Sequence, residues 1–139
     1  MARIRQTGTK PEIALRKELH KRGLRYRVNF EVLHKPRRVA DIAFTSLSIA
    51  VFVDGCFWHG CPLHATWPKQ NAEFWRKKIA ANQLRDDDTN HRLRELGWTT
   101  IRIWSHETVH EAALRVLSAV YESRQRLASL TAHTAIRSP

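Results

Sequence analysis

The chain has 139 residues, enough for a single domain with one hydrophobic core. Lysine and arginine number 24 against 13 acidic residues, a formal charge of +11 with a pI near 10.6, and 12 of the 24 cations fall in the first 40 positions against only Glu12, Glu18 and Glu31. Such an excess attracts polyanions, nucleic acid first, while the lack of any apolar run near ~18 residues, or of a basic start followed by an apolar stretch, argues against a membrane span and a signal peptide.

Thr9-Lys10-Pro11-Glu12 has capping-box spacing, a hydroxyl and a carboxylate three apart, with Pro11 in the turn that tolerates a missing N–H, so a helix starts here. Leu15 and Leu19 share its apolar face, and Gly23 provides a left-handed stop after about residue 22. Tyr26, Val28 and Phe30 alternate with Arg25, Arg27 and Asn29, which predicts a half-buried strand. Val39 to Phe44 and Ile49 to Val53 are β-rich runs joined by Thr45-Ser46-Leu47-Ser48, a hairpin gap that sets position 41 opposite position 52 within a residue or two. Residues 55 to 70 show no period and read as a folded loop that something must tie down. From Asn71 to Leu96 the spacing of Phe74, Ile79, Leu84, Leu93 and Leu96 predicts one long helix or two short ones, closed at Gly97. A strand with Ile101 and Ile103 on one side follows from Thr100 to Trp104, and a last amphipathic helix runs from about Thr108 into the 120s through Leu114, Leu117 and Leu127. The order helix, three strands, helix, strand, helix is that of a single α/β domain over residues 1–128, with 129–139 a frayed tail.

Two groups of residues carry chemistry. Asp41 lies in the first hairpin strand and Asp54 ends the second, so the two carboxylates approach each other as they do where nucleases hold magnesium, a hard ion that takes oxygen ligands and keeps several waters; taken singly, an aspartate at a strand end is also an ordinary turn or cap residue. Asp54 opens Asp54-Gly55-Cys56-Phe57-Trp58-His59-Gly60-Cys61-Pro62-Leu63-His64, two thiols, two imidazoles and two aromatics in eleven residues. Cys56, Cys61 and His64 have the short spacings of a tetrahedral zinc loop, and His106, just past the last strand, is the preferred fourth ligand, with His59 and His110 as alternatives; a strained disulfide is the competing reading of the cysteines.

The stretch Phe52-Val53-Asp54-Gly55-Cys56-Phe57-Trp58-His59-Gly60-Cys61-Pro62-Leu63-His64 resembles the hallmark of the very-short-patch-repair (Vsr) endonucleases. The resemblance extends to Thr9-Lys10-Pro11-Glu12 with Leu15-Arg16, to Gly23-Leu24-Arg25-Tyr26-Arg27, to Glu73-Phe74-Trp75 with Asn82 and Arg85-Asp86, and to Leu96-Gly97-Trp98 with Ile103-Trp104, most of positions 7 to 107. It implies a restriction-endonuclease-like (PD-(D/E)XK-type) fold, a central mixed sheet flanked by helices with a structural zinc loop. It makes Asp41 the central magnesium carboxylate, with the backbone carbonyl of Val53 as a second direct ligand, and His59 a catalytic histidine that accepts or relays a proton beside the scissile phosphate. Glu12 falls on an N-terminal acid implicated in the site, although the capping box accounts for it as well, and Asp54 stands where some members carry a histidine, to hold a metal-bound water or to orient His59. Zinc would be held by Cys56, Cys61, His64 and His106 in a closed structural site.

Phe57, Trp58 and Trp75 resemble the aromatics that the family wedges into the duplex beside a mispair, where unstacking costs least, while Lys69 and Arg76 would be contacts to the DNA rim and backbone; ordinary core packing is the other reading of Trp75. The activity implied is magnesium-dependent nicking beside a T·G mispair left by deamination of 5-methylcytosine, with a companion cytosine-5 methyltransferase and repair proteins as partners. A cytoplasmic, nucleoid-associated monomer without membrane contact is expected. Two features depart from the pattern: Ala40 precedes Asp41 where the family usually has proline, and the chain begins almost at the first helix where relatives often carry a DNA-contacting arm. Two further classes share parts of the signal: a restriction-type or branched-DNA nuclease would keep Asp41 and Asp54 but cut matched or branched DNA, and a non-catalytic zinc-held binding module would keep only the cysteines and histidines.

Overall fold

A computed structural model describes residues 10–55 and 70–137, with side chains through 130. Helix α1 (Lys10–Lys21) leads into β1 (Arg27–His34) and β2 (Arg37–Phe44), and a short 3-10 turn (Thr45–Leu47) connects β2 to β3 (Ile49–Asp54). Helix α2 (Ala72–Glu95), β4 (Thr99–Trp104) and α3 (Val109–Arg137) complete the chain. The four strands form one mixed sheet in the order β1-β2-β3-β4, antiparallel except for the parallel β3–β4 pair, and helices flank it. This is the mixed α/β architecture expected from the order of elements.

Two apolar layers hold the helices to the sheet. On one side Leu15 and Leu19 of α1 and Ala112, Ala113, Val116 and Val120 of α3 pack on Ile42, Phe44, Ile49, Val51, Ile101 and Ile103. On the other, Leu93 of α2 packs with Val32, Leu33, Ala40, Ala50 and Phe52, against which Phe30 and Trp98 also lie. A sheet covered on both sides makes β3 apolar at every position from Ile49 to Phe52, all buried.

Local chemistry ends the elements where the sequence places the stops. Leu24 N–H bonds the Leu19 carbonyl at 3.1 Å and Gly23 N–H the His20 carbonyl at 3.0 Å; the same paired bonds recur at Trp98 to Leu93 (2.9 Å) and Gly97 to Arg94 (3.0 Å). Both are Schellman closures, and both need the left-handed backbone that glycine adopts without strain, φ being +88 at Gly23 and at Gly97. Thr108 caps α3, its hydroxyl accepting the Glu111 N–H at 3.1 Å. The hairpin register matches the reading from loop length: Ile42 is opposite Val51 and Phe44 opposite Ile49, which carries Asp41 level with Phe52.

Several apolar positions differ from expectation. Val28 is exposed, since β1 is the edge of the sheet and its apolar burial comes instead at Val32 and Leu33, beyond a bulge between Glu31 and Leu33. The strand also runs past Phe30 to His34. Residues 72–95 form one helix rather than two, and Phe74, Leu84 and Leu96 face solvent, because α2 meets the sheet through Ile79, Thr89 and Leu93. In α3 the buried stripe is Ala112, Ala113, Val116 and Val120; Leu114 lies off it and is exposed, and Leu127 is exposed although it continues the spacing. The small alanines let the helix approach the sheet closely. That helix also continues to Arg137, past the end expected near residue 129, since residues 124–137 hold neither glycine nor proline. Thr9, half of the expected capping box, lies outside the described residues.

Candidate active site

The pairing of β2 with β3 stops at Ile42 and Val51, while β2 goes on pairing with β1 as far as Arg37. The two central strands therefore part just beyond Ile42, and Asp41 stands in the gap. Its carboxylate supplies the next rung of the ladder: the Val53 N–H donates to Asp41 Oδ2 at 2.7 Å, closing the link with a side chain rather than a backbone carbonyl. Asp41 is half-buried there.

Burial pushes the Asp41 carboxyl up to about 6 from its ordinary value of 3.8; the Val53 N–H pulls the other way, the negative charge of Asp54 adds to the rise, and Arg16 and Arg102 oppose it. A carboxylate held short of full ionisation by burial and a neighbouring anion is one that a cation would stabilise. Magnesium takes one or two carboxylates, carbonyl oxygens and several waters, so the donor chemistry at the end of β3 fits such an ion. Among the described residues no three histidine, cysteine, aspartate or glutamate side chains gather as a ready-made metal cage.

Asp54 is only 6 % exposed. Both its oxygens face one nitrogen of Arg102, at 3.0 and 3.3 Å. Arg102 also donates from Nε to Asn90 Oδ1 at 3.0 Å, pairs with Asp86 at 3.4 Å, and lies 4.0 Å over the ring of Phe52. One guanidinium thus joins β3, β4 and α2. Glu12 is fully buried and ion-paired with Arg16, one turn later on α1. Its carboxylate is therefore spent inside the fold rather than on an exposed helix end, and the charge of Arg16 reaches Asp41 from the α1 side of the sheet. Arg16 Nε is buried without a hydrogen-bond partner among the described residues.

Past β4 the chain turns through an exposed His106. That turn is tied down: Trp104 N–H bonds Glu107 at 2.7 Å, and Arg115 of α3 holds Glu107 at 2.7 and 2.9 Å and the Arg102 carbonyl at 2.8 Å. Trp75 is half-buried at the start of α2, its ring 5.1 Å from that of exposed Phe74 in an edge-on pair, and Arg76 beside it is exposed. Cys56, Phe57, Trp58, His59, Cys61, His64 and Lys69 lie outside the described residues, as do Trp67, Gly60, Pro62 and Leu63.

Known proteins are similar to this chain in sequence. A sequence model described as "DNA mismatch endonuclease Vsr" matches residues 1–64. The type II nicking enzyme V.NaeI of Lentzea aerocolonigenes is 42% identical over 123 residues, 84% of this chain and 72% of the relative. V.NmeDIP of Neisseria meningitidis serogroup C is 43% identical over 109 residues (73% and 68%), and V.HpaIIP of Haemophilus parainfluenzae 35% identical over 130 residues (87% of each). The chain belongs to the Vsr family of DNA mismatch endonucleases. As a Vsr protein it is a DNA endonuclease, and no helix among its described residues is long and apolar enough to cross a membrane.

Sequence reasoning brought Asp41, Val53 and Asp54 together correctly but passed over Arg16 and Arg102. Arg102 had a signal: it interrupts the strand Thr100 to Trp104 on the face opposite Ile101 and Ile103, and a cation in the middle of a parallel strand needs an acid to meet. Arg16 had one as well, its i,i+4 spacing from Glu12, the acid it pairs with.

Proposed function

We propose that this Vsr protein is a magnesium-dependent endonuclease that nicks double-stranded DNA beside a T·G mispair arising from deamination of 5-methylcytosine, and so initiates very-short-patch repair. The observation that carries the reading is the Asp41 carboxylate, set where β2 and β3 part, bonded to the Val53 N–H and raised by burial to about 6. On this reading Asp41 and the Val53 carbonyl hold the magnesium ion in a restriction-endonuclease-like fold. The ion, when bound, supplies positive charge to the scissile phosphate. His59 takes up or relays the proton of the attacking water, while Arg16, with its buried Nε and its Glu12 partner, keeps positive charge on the α1 side of Asp41.

Zinc fixes the loop between β3 and α2 through Cys56, Cys61, His64 and His106. The sheet supports this choice of His106. β3 and β4 are parallel, Asp54 is level with Trp104, and Ser105 N–H bonds the Asp54 carbonyl at 2.9 Å, so the two strands end side by side, each two residues before Cys56 or His106 in the sequence. Phe57, Trp58 and Trp75 wedge into the duplex, and Lys69 and Arg76 hold its backbone; the half-exposed Phe74–Trp75 pair supports a protein face with aromatic reach. The protein works as a cytoplasmic, nucleoid-associated monomer alongside a cytosine-5 methyltransferase and repair proteins.

Asp41→Asn tests the assignment. It is expected to abolish magnesium-dependent nicking of a T·G duplex while leaving zinc content and DNA binding near those of the parent. Retention of nicking would remove Asp41 from the site.

A further inference from the structure

We propose that Arg102 is a positioning residue for the magnesium site and that Asp54 serves as its anchor rather than as a metal ligand or a proton-transfer group. The inference rests on the reading of Asp41 and the Val53 carbonyl as the magnesium ligands. The side-chain contacts of Arg102 come from two other elements: both oxygens of Asp54 on β3 at 3.0 and 3.3 Å, with the face of Phe52 on the same strand at 4.0 Å, and Asn90 and Asp86 of α2 at 3.0 and 3.4 Å. These residues are 12 to 50 positions from Arg102 in the chain, so only the folded structure assembles them.

The link to Asp41 runs through a single residue, Val53. The Val53 carbonyl belongs to the peptide plane that joins Val53 to Asp54, and the Val53 N–H is the donor to Asp41 Oδ2 at 2.7 Å. Fixing the buried Asp54 side chain against Arg102 restrains that plane and with it the direction of the carbonyl, while the Val53 N–H, in the preceding peptide plane, seats the Asp41 carboxylate. The β2–β3 ladder has already stopped at Ile42 and Val51, so β3 is held here by its pairing with β4, to which the Arg102–Asp54 contact adds a side-chain tie. The same clamp turns both Asp54 oxygens toward a cation already in the protein, which leaves Asp41 as the carboxylate to meet the added ion. Asp86 and Asn90 hold the other side of the guanidinium, so α2 is held to the sheet at the level of the site. The face of Phe52, 4.0 Å from the guanidinium, adds a cation–π attraction that favours this position of the arginine.

Removing an outer partner of a metal site typically lowers metal affinity or activity by about 10- to 100-fold. The test compares the parent with Arg102→Met, Arg102→Lys, Asp54→Asn and the double variant Asp54→Asn/Arg102→Met in single-turnover nicking of a T·G duplex across a magnesium titration, with DNA binding measured separately in EDTA. Arg102→Met is expected to raise the magnesium concentration for half-maximal nicking by about tenfold or more while leaving DNA affinity within about twofold. Arg102→Lys should recover part of the loss, since an ammonium reaches Asp54 but cannot span to Asn90 as well. In the Asp54→Asn background, Arg102→Met should add little. Two results overturn the proposal: weaker DNA binding with an unchanged magnesium requirement, which would make Arg102 a phosphate contact, or effects of the two single changes that multiply in the double variant. If Arg102→Met does not fold, Asp54→Asn and Arg102→Lys decide, and an unchanged magnesium requirement in both overturns it. A parent protein that nicks nothing with magnesium defeats the underlying nuclease reading instead, before the variants are compared.

Discussion

Asp41 occupies a place that is unfavourable for its own charge. Its carboxyl sits at about 6 in the folded chain against 3.8 ordinarily, so between those values the folded state binds the proton that the unfolded state has lost. Stability therefore is fully present below 3.8 and falls as pH rises through 6; at neutral pH the metal-free protein is missing about 2–3 kcal/mol, two pKa units at about 1.4 kcal/mol each. Asparagine at this position keeps an oxygen for the Val53 N–H and removes the charge. Asp41→Asn is thus expected to raise the melting temperature in EDTA at pH 7.5 by about 5–10 °C, with a gain that shrinks toward zero near pH 4. A lower melting temperature at pH 7.5 would contradict the cause assigned to the shift. Stability and activity oppose each other at one side chain, and a bound cation would reconcile them by charge.

At the scale of elements, the features that sequence reasoning reads well are those with local causes. Position 41 falls level with 52 because a four-residue gap between two β-rich runs admits few registers, and Gly23 and Gly97 end helices because the closure needs a positive φ there. What it misses depends on which side of an element meets the sheet. Leu84 and Leu114 have helical spacing with their neighbours, yet α2 docks through Ile79, Thr89 and Leu93 and α3 through two alanines and two valines, choices made by the shape of the sheet rather than by hydrophobicity along the helix. The polar clamp is hidden for a related reason. Arg102 meets Asp54 from 48 positions away, and only the parallel register of β3 and β4 brings them side by side. The far part of α3 supplies a prediction at this scale. Leu127 and Leu130 are exposed although they continue the turn spacing of the buried Val116, Val120 and Ser123. Leu130→Ser should cost under about 1 kcal/mol in urea unfolding, since changes at exposed positions rarely cost more. A loss of several kcal/mol would place packing on that segment.

Across the whole molecule the design is a two-sided sheet whose central strands part at one end, with cations on both faces of the gap, Arg16 on the α1 side and Arg102 on the α2 side. β3 and β4 are parallel and end side by side at Asp54 and Trp104, so on the proposed reading a metal held by Cys56, Cys61, His64 and His106 would tie the two following segments together. The purified protein is accordingly expected to hold one zinc per chain, with His106→Ala and Cys56→Ser each lowering zinc content and melting temperature; full zinc in both variants would remove these residues as ligands. The formal charge of +11 adds the electrostatic attraction to DNA, and nicking at subsaturating protein should weaken steeply with added salt. The most direct measurement is nicking of end-labelled duplexes carrying a T·G mispair against matched T·A and C·G controls in several flanking contexts, in magnesium and in EDTA. A single nick on the thymine strand of the mispaired duplex, present in magnesium and absent in EDTA, is the predicted result. Equal cutting of matched duplexes, or cutting that survives EDTA, would contradict it.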